Sequence, residues 1–437
     1  MYENLKKHVF DTMLAHREEI CSLADSIAAE PELGFKETKT AKKIADFFQK
    51  HDIEYTAGLA RTGVKGKIAG RSSSRRIAIL GELDAVPCPK HPLASAETGA
   101  AHACGHNVQL AILAACALGL KESGVMAELD GDVIPFAVPA EEYVEITWRK
   151  QMRDDGKLHY LCGKEELIYE GAFDDVDIAM MMHTAMLGGD GSRRLIDTGG
   201  TSNGFIGKLI RFKGKAAHAA GAPHEGINAL NAAMLAISAV NALRETFKEE
   251  DYIRFHPIIT KGGDSVNVVP ADVRMESYVR AKTVKAMLEA NEKIDRAICC
   301  AAMAIGAEAE IQNMPGQLPM VNDPALNALY EANVRARVGE HAVIHLGHQA
   351  GSTDMGDLAH IMPVIHPWFG GGTTGVLHSE HFRITDPDMA YFLSAATMTD
   401  TVIDLLAGQA AGAGKVFQSY RPLMTKKEYL AYLASIK

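Results

Sequence analysis

Five short segments of this 437-residue chain concentrate residue types that bind divalent metals: Glu82-Leu83-Asp84, the string from His102 to Asn107 (HACGHN), Glu141-Glu142, His183 and His378. The second is the densest, with two imidazoles and a thiol in five residues. Cys104 and His106 stand two apart, so on a helix they would point to different sides. A loop or a helix start lets them converge, and Gly105 between them permits the turn. The helix expected to follow brings its positive N-terminal end to Cys104, which favours a thiolate. Thiolate, imidazole and carboxylate together suit zinc, and also manganese, cobalt or nickel. Glu141 and Glu142 leave a strand in different directions, so one can bind metal while the other faces a bound water. A metal lowers the pKa of such a water toward about 7, and a free carboxylate can take its proton and return it to a leaving amine.

Taken singly, each residue has an ordinary explanation. His183 after an apolar strand can be a structural histidine, and His366 and His348 compete with His378 for any role. Glu141-Glu142 can complement a helix N-terminus, and Asp84 can cap a turn. What favours one site is the convergence of the segments. Two rival chemistries are a cysteine-nucleophile amidase using Cys104 and His106, and a non-catalytic metal binder. The spacing of the pair opposes the first. A spare carboxylate beside the ligands, which a mere binder does not need, opposes the second.

The elements that must position these residues read as α/β. A helical pattern covers 36–50. Apolar strands follow near 64–69 and 76–82, then a helix at 106–122 and strands at 132–138 and 176–182. Short apolar runs separated by helices predict βαβ units and a mostly parallel sheet flanked by helices. Glu82 to Asp84 end one strand, Glu141-Glu142 follow a second and His183 closes a third. Ligands in open α/β sheets bind beyond the carboxyl ends of strands, so these clusters point to one place. The middle of the chain changes pattern: a strand at 204–213, a helix at 225–246, strands at 252–260 and 271–280, a helix at 283–306 and a strand at 307–313. That order is βαββαβ, a ferredoxin-like α+β unit. With hinges at Gly199-Gly200 and Pro315-Gly316, the expectation is a discontinuous metal-binding catalytic domain, 1–200 and 315–437, and an inserted lid or dimerisation domain, 201–314.

Composition narrows the class. Apolar residues are 47% and charged residues 23% of the chain, which is ordinary for a globular protein with a sizeable core. A net charge of −10 argues against a nucleic-acid surface. No apolar run is long enough to span a membrane, and the N-terminus reads as a charged amphipathic helix without a signal core, so the cytoplasm is the expected location. Seven cysteines without framework spacing fit a reducing compartment.

The strings GELDAVP, HACGHN, PAEE, GAFDDVDIAMMMH, GKAAHAA and GVLHSEHF, in that order, resemble the dinuclear-metal peptidase superfamily of aminoacylases and glutamate carboxypeptidases. Within it they are similar to the amidohydrolase branch of p-aminobenzoyl-glutamate, hippurate and auxin-conjugate hydrolases. The resemblance spans nearly the whole chain, and HACGHN with PAEE is its most specific part. It implies two divalent metal ions per subunit held by Cys104, His106, Glu142, His183 and His378, with Cys104 able to bridge. Glu141 is then the general base and Asp84 a supporting residue. The resemblance also implies a homodimer formed through the inserted domain, with His218 reaching the partner subunit's site and Asn267 and Arg280 contacting the substrate carboxylate. The reaction so implied is hydrolysis of the amide bond of an N-acyl or aminobenzoyl amino acid, or of a short peptide by a metallo-dipeptidase or carboxypeptidase. Asn107 stands where auxin-conjugate members usually carry Asp, which favours the p-aminobenzoyl-glutamate side. The polar stretch between Glu142 and Gly171 has no counterpart in this account.

Overall fold

The computed structural model describes residues 2–187 and 192–437, which form two compact units. The first comprises Met1–Thr201, Val321–Gly347 and Asp357–Lys426. Its sheet is built from β1 (Glu54–Leu59), β2 (Gly63–Lys67), β3 (Arg76–Glu82), β4 (Asp132–Val138), β5 (Ile178–Met180) and the short strand Val364–Ile365. In space they run β1-β2-β4-β3-β5, then Val364–Ile365. β3 lies parallel to both β4 and β5, and Val364–Ile365 is parallel to β5. The β1–β2 hairpin adds antiparallel pairings at one edge. All seven residues of β4 are buried, as expected of a strand covered on both faces.

The register of this sheet sets up the site. β3 and β4 pair from Arg76 opposite Asp132 to Glu82 opposite Val138. Glu82 therefore leaves the sheet at the same edge as the turn carrying Glu141 and Glu142. Helix α1 (His106–Glu122) packs behind that edge, and its stretch from His106 to Leu120 is buried throughout, as its all-round apolar sequence requires. A second helix, α2 (Gly163–Glu170), buries the charged residues Lys164, Glu165 and Glu166. It lies within the polar stretch that sequence reading left unexplained.

The second unit comprises Ser202–Met320, His348–Gly356 and Lys427–Lys437. It contains β6 (Gly204–Lys213), α3 (Ala229–Ala242), β7 (Arg254–Phe255), β8 (Ile258–Lys261), β9 (Asp272–Ala281), α4 (Val284–Ala304) and β10 (Glu308–Pro315). The sheet order is β7-β9-β6-β10, with β8 also on β9, and its pairings are antiparallel. This is the ferredoxin-like arrangement, with α3 and α4 packed on one face around Phe212, Ala236, Met275 and Ile298. Where the expected insertion was 201–314, the unit runs from Ser202 to Met320 and also takes in 348–356 and the C-terminal 427–437. Neither stretch carries the βα period that marked the insertion.

Candidate metal centre

The turn between Cys104 and His106 depends on Gly105, whose φ is +86°. A Cβ there would also lie 2.5 Å from Thr184 Cγ2, so a larger residue would be both strained and crowded. Gly105 caps α1, which places the Cys104 thiol at the helix start, as the spacing predicted. Cys104 belongs to two donor triads at once. Cys104, His106 and His183 form one, and Cys104, Glu142 and His378 form the other, with donor atoms inside each within 4.8 Å of one another. Sγ of Cys104 lies 3.5 Å from His183 Nε2 and 3.2 Å from His378 Nε2, and His378 Nε2 lies 3.0 Å from Glu142 Oε1. A sulfur and a nitrogen bound tetrahedrally to one ion at ordinary zinc distances stand about 3.5 Å apart. The donor set therefore fits divalent ions without rearrangement.

Asp84 ties the triads together. Its Oδ1 and its carbonyl lie 3.1 and 2.8 Å from His106 Nδ1, and its Oδ2 accepts the Glu142 backbone N–H at 3.0 Å. A carbonyl can only accept, so His106 carries a proton on Nδ1 and turns Nε2 toward Glu82 Oε2, 3.0 Å away. His183 is set in the same way: its Nδ1 donates to the Thr184 carbonyl at 2.7 Å, and its ring stacks 4.3 Å from Trp368. Such outer contacts orient ligands and raise their basicity.

The electrostatics favour the ligating forms of Cys104 and Glu142, while in the absence of metal the His378 ring holds a proton that an ion would displace. Burial and Glu142 oppose ionisation of the Cys104 thiol, yet His106 and His183 bring it down to about 6. Burial likewise opposes Glu142, but its bond to His378 holds the carboxylate well below its usual range. Hydrogen bonds to Cys104 and Glu142 lift His378 to about 11. Burial pushes His102 and His366 down to about 3, so both are neutral.

Each residue singled out from sequence can now be placed. Cys104, His106, Glu142, His183 and His378 come together with Asp84 among them. Glu141 is buried and forms a third donor group with Glu82 and His106. His366 packs 6.0 Å from the His183 ring, with Nδ1 on the Met181 carbonyl, and joins no triad among the described residues. His348 falls in the second unit, 3.0 Å from Asn203 Oδ1.

His218, Asn267 and Arg280 also lie in the second unit. The Asn267 carbonyl accepts Ala219 N–H, so Asn267 and His218 belong to one pair of loops, and both are exposed. His218 Nδ1 accepts the N–H groups of Ala220 and Gly221, leaving Nε2 as the proton-bearing nitrogen of the neutral ring. Arg280 donates Nη1 to Ser352 Oγ at 2.6 Å and Nε to His256 Nε2 at 3.1 Å, and its guanidinium stacks on Phe205 and Tyr278.

Sequence reasoning missed Lys164, which is fully buried and 2.7 Å from Glu82 Oε1. It also missed Glu37, buried with Thr62 and accepting the N–H of Ala140, just before Glu141. The one available signal for Lys164 was its flank: Gly163 opening a helix with three consecutive charged residues.

The profile of peptidase family M20/M25/M40 matches residues 78–399. Among curated relatives, the chain is 29% identical over 398 residues to the Xaa-Arg dipeptidase of Mus musculus, covering 87% of this chain and 83% of that protein. It is 28% identical over 386 residues to an N-acetylcysteine deacetylase of Bacillus subtilis, covering 85% and 93%. A dinuclear metal binding peptidase of family M20 from Bacillus subtilis superposes with a TM-score of 0.67 at 24% identity, covering 90% of this chain and 99% of that one, a likeness of fold.

Proposed function

This chain belongs to peptidase family M20/M25/M40 and is an amide-bond hydrolase, and on that footing we propose that it uses two divalent ions to cleave a small substrate whose released amine is an amino acid with a free carboxylate. One observation carries the reading: two donor triads, one buried and one opening to solvent at His378, interlock through Cys104, with the Glu141 carboxylate beside them. Ions held there would polarise the scissile carbonyl and acidify a water molecule.

The protein's own residues supply the rest. Cys104 serves both triads, His106 and His183 complete one, and Glu142 and His378 complete the other. Asp84 orients His106 and Glu142. Glu141, which belongs to neither triad, takes the proton from the attacking water and passes it to the leaving amine. An acidified water and a carboxylate placed beside it are what separate hydrolysis from storage of metal. Zinc suits the mixed sulfur, nitrogen and oxygen set, with manganese, cobalt and nickel as alternatives.

The substrate class follows from the relatives' names. An Xaa-Arg dipeptide and an N-acetylated cysteine share an amide nitrogen on an amino acid. Arg280 offers the planar fork that suits a carboxylate, already steadied by Ser352 and His256.

We also propose a homodimer through the second unit. Strand β8 exposes Ile258 and Ile259, and α3 exposes Met234 and Leu235, an apolar surface that a second copy of this chain would cover. In that dimer His218 serves the partner's site, its exposed Nε2–H donating to the oxyanion. The seven free cysteines accord with a reducing compartment, the cytoplasm. Among the described residues no helix is long and apolar enough to cross a membrane. A mass-spectrometric screen of N-acyl amino acids and dipeptides with metal-loaded protein tests the activity: release of a free amino acid is expected. No turnover of either class by loaded protein would refute the proposal.

A further inference from the structure

Glu82 Oε2 and His106 Nε2 lie 3.0 Å apart, sealed from solvent, and with a Glu141 carboxylate oxygen they form a group of three donors within 4.8 Å of one another. The other atom of each side chain is committed. Glu82 Oε1 accepts from Lys164, and His106 Nδ1 donates to Asp84. The pair is satisfied either by a proton on His106 Nε2 or, with that proton displaced, by a metal ion between the two atoms. Two donors each about 2.1 Å from one ion stand about 3.0 Å apart at right angles, as in a five-coordinate shell, and about 3.4 Å apart in a tetrahedral one.

We propose that Glu82 is a further protein ligand on the His106–His183 side of the metal centre, donating Oε2 while Lys164 holds Oε1. The helix that delivers Lys164 is fixed for this purpose. Gly163 approaches so closely that a Cβ on it would meet the Pro139 carbonyl oxygen at 1.6 Å, and its N–H bonds to the Ala140 carbonyl. The turn carrying Glu141 and the start of α2 are therefore one rigid piece. Lys164 makes the carboxylate monodentate by occupying one oxygen, and so aims the other at His106. This assigns a purpose to the otherwise unexplained polar stretch after Glu142.

The inference rests on the two-ion reading, and the test separates the two. The wild-type protein is crystallised with zinc, ions are located by anomalous scattering, and the metal content of wild type and Glu82→Gln is measured after equilibrium dialysis. Glu82 Oε2 is expected about 2.0–2.2 Å from one ion. The Glu82→Gln protein should keep one ion tightly and bind the other at least about tenfold more weakly. Oε2 beyond bonding distance of both ions, or two ions held by Glu82→Gln as tightly as by wild type, overturns the assignment and leaves the two-ion reading standing. A wild-type protein that takes no divalent ion overturns the two-ion reading as well. If Glu82→Gln does not fold, the wild-type zinc structure decides alone.

Discussion

The metal-centre residues and the exposed residues of the second unit differ in how many independent contacts fix each side chain. His106 is held at both ring nitrogens between Asp84 and Glu82, and Glu142 through its backbone by Asp84 and its carboxylate by His378. His218 and Asn267 sit on exposed loops, and His218 is held at one nitrogen by its own loop. Buried residues with several constraints are preorganised within one chain. Exposed residues with one constraint need a substrate or a second copy to acquire a task.

That contrast can be broken most forcefully at the adjacent glutamates. Glu141→Gln should keep its metal while turnover falls by roughly 10²–10⁴ or more, the range for loss of a general base. Glu142→Gln should instead lose metal, because its carboxylate is one of the proposed ligands. Metal analysis beside steady-state kinetics checks both, and equal metal loss would show the roles are wrongly divided.

A smaller effect is expected in the second unit. His218→Ala should lower kcat about 10²–10³-fold, as for one oxyanion donor. Mixed with Glu141→Gln subunits, it should regain activity, since one of the two sites then combines an intact Glu141 with the partner's intact His218. Confirmed subunit exchange without recovered activity would place His218 in its own subunit's site or outside catalysis. Arg280→Ala should raise KM for acyl amino acids about 10–100-fold, the worth of a charged hydrogen-bonded contact, while barely changing KM for their amides. Equal effects on acid and amide substrates would remove Arg280 from carboxylate recognition.

The smallest effect is one of pH. The Cys104 thiol is lowered from an ordinary 9.0 to about 6. Its favourable contribution is thus complete above about pH 9 and is lost as pH falls through about 6. In metal-free protein, the thiolate absorbance that Cys104→Ser removes should titrate near 6. A midpoint near 9 would mean that His106 and His183 do not stabilise the thiolate.

The contrast also explains what the sequence disclosed. The ends of β3, β4 and β5 were legible because apolar runs mark buried strands and their polar termini mark a sheet edge. The HACGH string was legible because so dense a set of soft ligands has no structural use. The βαββαβ pattern revealed the insertion for similar reasons of period. Lys164 and Glu37 stayed hidden because their partners lie far along the chain: Lys164 reads as one more charge in a polar stretch until the fold brings it to Glu82. His366 and His348 could not be separated from His378 by composition. Only packing shows that His378, at a left-handed φ of 63°, turns toward Cys104 and Glu142.

The central claim, that the interlocked triads hold two divalent ions required for amide hydrolysis, is tested most directly by stripping the protein with a chelator and returning metal stepwise. Release of amino acid from a substrate found by the screen is followed at each step. The account predicts no turnover in stripped protein, recovery on adding metal and a plateau at two equivalents per chain. Full turnover in metal-free protein would contradict it.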